Sequence, residues 1–111
     1  MNQSLTVIAF TGASGIGASA IANGVSAPSV TLTAQAAGSA VYGVGIDFDQ
    51  AIARTVAAGQ TKVHEFLAPS GDTMWMQMLN ATTSAAGATA RLNDTAPSTD
   101  QWNFAIVEIK R

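Results

Sequence analysis

Asp47 and Asp49 are the residues of this sequence best spaced for chemistry. They stand at i and i+2 in the run GIDFDQ, residues 45–50, where an alternating apolar stretch ends. Two carboxylates so placed can converge on a hard cation such as Ca2+ if the backbone curls into a loop, and Asn93 or Asp94 would add oxygens from a neighbouring loop. A metal-free reading fits the same residues: Asp49 caps a turn or helix, and Asp47 pairs with Arg54. The run lacks the repeated Asp and closing Glu of an EF-hand loop. Aromatic residues offer a second kind of site. Tyr42 and Trp75 are candidates for a platform on which a sugar ring stacks, whereas Trp102 shares its face with Phe104 and Ile106 and reads as core. His64 is the single histidine and adjoins Glu65. Neighbours on a strand point to opposite faces, so the two cannot share a substrate, and no Ser-His-Asp set assembles around His64.

Residues 7–24, VIAFTGASGIGASAIANG, look at first like the nucleotide-binding turn of a short-chain dehydrogenase. The spacing fails. Gly12 and Gly15 enclose only Ala13 and Ser14, one residue short of that turn, and Ile46 stands where a catalytic lysine would follow Tyr42. The expectation is an irregular connection over 12–24 and a chain that needs no NAD or other cofactor.

Composition narrows the class further. The chain has 111 residues, 48% of them hydrophobic and 11% charged, with a net charge of −2 and no cysteine. That is one domain with enough apolar material for a core, and far from a disordered composition. Five scattered basic residues cannot neutralise a phosphate backbone, so nucleic acid is excluded as a partner. No apolar run approaches a membrane span, and no membrane insertion is expected. Disulfides and thiolate metal sites are ruled out.

The elements that must position these residues repeat with period two. Strands are expected at 4–10, 29–34, 39–48, 61–68, 73–80, 87–93 and 101–110. Residues 39–48 set Tyr42, Val44, Ile46 and Phe48 against Val41, Gly43 and Gly45, the glycines marking close packing or a bulge. Residues 73–80 set Met74, Met76 and Met78 against Trp75, Gln77 and Leu79. The methionine stripe reads as core, which turns Trp75 outward. The strand at 101–110 is apolar on both faces, as a strand near the centre of a sheet should be. A helix over 48–58 is the competitor, since Phe48, Ile52 and Val56 recur every four residues, but Gly59 cuts it short. About seven short strands separated by turn signals read as an all-β, antiparallel sandwich, jelly-roll-like or Ig-like.

One ordered series carries a resemblance: FTG at 10–12, GVGIDFD at 43–49, AGQT at 58–61, GDTMWMQ at 71–77 and WNFAIVEIK at 102–110. Together these resemble a β-sandwich module, jelly-roll or concanavalin-like, that is found, often repeated, in large bacterial secreted or surface proteins. The resemblance implies a sandwich fold and an extracellular or cell-surface setting. It covers the C-terminal half of such a module, so 1–111 is expected to be a single domain or half of a larger one. A sheet cut short would leave an edge and an apolar face uncovered. The function expected is a non-catalytic structural or interaction module that forms a homo-oligomer, most simply a dimer, through 4–10 or 73–80 with the Met74, Met76 and Met78 face at the contact. The alternative is a carbohydrate-binding module holding polysaccharide on Trp75 and Tyr42.

Overall fold

Alternating burial along the chain builds two antiparallel sheets that press their apolar faces together. The computed structural model describes residues 2–111. It contains eight strands: β1 (Gly15–Val25), β2 (Ser29–Thr33), β3 (Ala40–Asp47), β4 (Thr55–Val56), β5 (Gln60–Leu67), β6 (Thr73–Leu79), β7 (Thr89–Ala96) and β8 (Gln101–Lys110). The larger sheet runs β1-β8-β3-β6-β5, the smaller β2-β7-β4, and every pairing is antiparallel. The protein is an all-β sandwich.

The core lies between the sheets. Val30 and Leu32 of β2 and Ala90 and Leu92 of β7 meet Val41, Trp75, Trp102, Phe104 and Ile106 of the larger sheet. Each large side chain removed from water there contributes roughly 1.5–3 kcal/mol before its ordering entropy is deducted. The larger rings fit because glycine faces them. A Cβ on Gly43 would stand 2.7 Å from Phe104 Cε2, and one on Gly45 would run into the Trp75 ring. The glycines of β3 therefore mark close packing.

Three expectations need correction. Residues 12–24 are not an irregular connection: β1 is the longest strand, an edge strand paired with β8 from Gly15↔Lys110 to Val25↔Gln101, with a bulge between Ile16 and Ser19. Its run of small residues resembles loop chemistry for a packing reason. Gly17 faces the Glu108 carboxylate, and Gly24 lies against Trp102, where a Cβ would come 3.2 Å from Cζ2. Only small side chains let β8 come this close.

Residues 4–10 do not form a strand. They run extended against the outside of the larger sheet, where Ser4 Oγ lies 3.1 Å from His64 Nε2 and Phe10 meets Tyr42 edge-on at 5.2 Å. Leu5 and Val7 point to solvent, 86% and 81% exposed.

The third correction concerns the methionines. On β6 the buried face is Thr73, Trp75 and Gln77, while Met74, Met76 and Met78 are half-buried on the outside. Period two separates the faces of a strand without saying which one faces the core.

No helix forms over 48–58. The chain instead turns on Asp47, whose Oδ1 accepts from the Asp49 and Gln50 amides at 2.8 and 3.1 Å. Thr73 Oγ1 donates to the Gln50 and Ile52 carbonyls at 3.1 and 2.9 Å. Side chains thus meet the backbone needs that a helical ladder would have met.

Candidate functional site

The outer face of the larger sheet is the main candidate surface. Strand register lines up Tyr42, Val44 and Ile46 of β3 with Met78, Met76 and Met74 of β6. On the other side Tyr42 and Val44 stand opposite Val107 and Ala105 of β8, and Ala105 stands opposite Ile21 of β1. These side chains form a continuous uncharged patch. Ile21 is 83% exposed and Val44 54%. Two open grooves score this face. One, of about 450 Å3, lies between Ser4 of the N-terminal segment and Ile21, Val44, Ile46 and Met74; the other, of about 250 Å3, is bounded by Ile21, Tyr42, Met76 and Val107. Apolar area of this kind left in water costs free energy and characteristically marks a contact surface.

Of the two aromatic candidates, Tyr42 alone belongs to this face. It is half-buried and flanked by Phe10, beside a third groove of about 210 Å3 that also reaches Thr82, Lys110 and Arg111. Trp75 is 1% exposed and belongs to the core. Its Nε1 donates to Gln77 Oε1 at 2.7 Å, and the Arg54 guanidinium lies 4.5 Å from its ring centroid. A ring committed in this way presents no face to a sugar, so the platform of Trp75 and Tyr42 does not exist. Trp102 is core, as its face neighbours imply.

Asp47 and Asp49 part company for the same kind of reason. Asp47 is fully buried, its Oδ2 2.6 Å from Arg54 Nη2 and its Oδ1 occupied by two backbone amides. Asp49 is exposed. Among the described residues no three acidic or histidine side chains gather as metal ligands. The pairing of Asp47 with Arg54 expected from the sequence is present. His64 and Glu65 do point to opposite faces. His64 reaches Ser4 outside, and Glu65 turns inward to accept from the Arg54 amide at 2.6 Å and from Lys62 Nζ at 2.9 Å.

The interior holds two further acids, one of them Asp94, expected as an oxygen donor from a loop and found instead within β7. Asp94 and Asp100 are 3% and 2% exposed beside the Asp47–Arg54 pair. Burial pushes the Asp94 carboxyl up to about 7, against the pull of Arg54. Asp100 is also raised, by burial and then by the Asp47 carboxyl beside it. Breaking a buried pair such as Asp47–Arg54 by removing one partner costs roughly 3–5 kcal/mol, because the other charge is left uncompensated.

Glu108 is the opposite case. Its buried carboxylate accepts from the Ala18 amide at 2.9 Å, from the Gln35 and Ala36 amides, and from Ser39 Oγ at 2.7 Å. Burial alone would raise its pKa, but these donors outweigh burial and hold it down to about 2. The carboxylate ties β8 to the β1 bulge and to the β2–β3 loop. Its only sequence signal was one charge on the inward face of a strongly apolar strand. All of these acids are buried within the sandwich. No family model, curated protein or solved structure matches the chain.

Proposed function

We propose that the chain is a non-catalytic structural or interaction module, of the sort built into bacterial surface proteins, and that it works through the outer face of its larger sheet. The occupant of that face is a second copy of the chain. One observation carries this reading: the patch of Ile21, Val44, Ile46, Met74 and Met76 is apolar and uncharged, so it fits a copy of itself about a two-fold axis without opposing like charges. The contact includes the Met74, Met76 and Met78 stripe and the extended segment 4–10, whose Leu5 and Val7 stand free to reach the partner.

Light scattering across a series of micromolar concentrations tests it. A mass near twice 11.3 kDa, returned to the single-chain value by Met76→Lys in a protein with unchanged circular dichroism, is the expected result. A single-chain mass throughout overturns it. The alternative reading, polysaccharide binding, keeps Tyr42 beside the Phe10 groove but loses Trp75. Retarded migration in polysaccharide gels that disappears in Tyr42→Ala would favour that alternative.

A further inference from the structure

Residues 48–59 form a strap between β3 and β5 that leaves the larger sheet at Asp47, touches the smaller sheet through β4 and returns at Gln60. Side chains hold its first half. Besides the Asp47 and Thr73 bonds, Lys62 Nζ donates to the Arg54 carbonyl at 2.9 Å, and the Arg54 amide donates to Glu65. The attachment to the smaller sheet is short. Thr55 pairs with Ala96 and Val56 with Asp94 across an irregular register, and the Ala57 amide donates to the Asn93 carbonyl at 3.0 Å.

Beneath the strap the charges do not balance. Asp47 from β3, Asp94 from β7, Asp100 ahead of β8 and Glu65 from β5 face two cations, Arg54 from the strap and Lys62 from β5, with Asp49 acting on Asp100 from the strap. Arg54 gives Nη2 to Asp47, while its Nε and Nη1 are buried without a hydrogen-bond partner, and Lys62 pairs with Glu65. Both carboxyl oxygens of Asp94 are buried without a well-formed hydrogen bond; the Gln77 amide lies near enough to favour its charged form, but its hydrogens go to Gln60 Oε1 and the Asn93 carbonyl. A charge on Asp94 would therefore be a buried anion without an ion-pair contact, drawing only on an Arg54 it shares with Asp47, opposite the two-residue strand that holds the strap down.

We propose that the strap is a proton-dependent latch: β4 stays on β7 while Asp94 carries its proton, and ionisation of Asp94 loosens that end of the strap. In the closed strap burial keeps the carboxyl near 7, against the pull of Arg54, Gln77 and Lys62 and helped by Glu65. Once the strap lifts, water reaches the carboxyl and its pKa returns toward the ordinary 3.8. Closure thus takes up a proton, and it weakens as pH rises from about 4 to about 7, levelling off above that. The latch is independent of whatever occupies the outer face.

Hydrogen exchange at the Ala57 amide, expressed as a protection factor, tests the latch. In the wild-type chain protection falls about tenfold per pH unit across that window, while amides of β3 and β8 stay better protected throughout. Asp94→Asn flattens the slope, and His64→Gln, on the outer face, leaves it unchanged. Protection of Ala57 that does not vary with pH overturns the latch. So does a slope that survives Asp94→Asn or vanishes in His64→Gln. Ala57 exchanging at the same protection as β3 and β8 also overturns it, because the opening would then be global. Should Asp94→Asn fail to fold, the wild-type slope and the comparison with β3 and β8 still decide.

Discussion

Glu108 shows how far a residue's role can depart from its surface chemistry. A carboxylate on a strand of Trp, Phe, Ile and Val is either paired or costly, and here backbone amides supply the pairing. Because its folded pKa lies near 2, below the ordinary 4.5, the ionised form is favoured by folding. The stability it contributes is complete above about 4.5 and is lost as pH falls toward about 2. Glu108→Gln would turn an amide NH2 toward backbone donors, so we expect a melting temperature several degrees lower at neutral pH. The acid-induced loss between pH 4.5 and 2 should become shallower, as read by thermal melts across that range. An unchanged acid limb would show that the clamp contributes nothing.

At the scale of elements, β1 and β8 explain each other. β1 has the composition of a loop and behaves as a strand because its inward positions must be small where β8 presses Glu108 and Trp102 against it. The φ of Gly17 is not in the left-handed region, so the constraint there is space, and a Cβ would displace the Glu108 carboxylate from the Ala18 amide. Gly17→Ala should therefore destabilise the wild-type protein much more than it destabilises Glu108→Ala. The double-mutant cycle should give a coupling on the order of 0.5–3 kcal/mol in urea melts. Additive effects would mean that Gly17 is not held small by Glu108. The strap makes a related point. Phe48, Ile52 and Val56 recur at a helical period, yet Asp47 and Thr73 satisfy its backbone without a helix.

Across the whole molecule, polar and apolar groups are placed in an unusual way. Several acids are buried between the sheets, and a broad apolar patch faces outward. If two copies meet on that patch, association rests on apolar contact rather than on charge pairs. The dimer dissociation constant measured by sedimentation should then be unchanged between low and high sodium chloride. Marked weakening by salt would point to a charged contact elsewhere. The sequence by itself determined the strand periodicity, the β8 boundaries at 101–110, the core roles of Trp102, Phe104 and Ile106, and the all-β class, because these depend on local alternation. Only the tertiary structure decided which face of β6 is inside, that small residues at 15–25 are a strand, and that Asp94, Asp100 and Arg54 share one chamber. Alternation gives a strand two equivalent faces, and the choice between them is made by what the facing sheet can accept. The two glycines of β3 leave room for Trp75 and Phe104, so Trp75 goes in and the methionines go out.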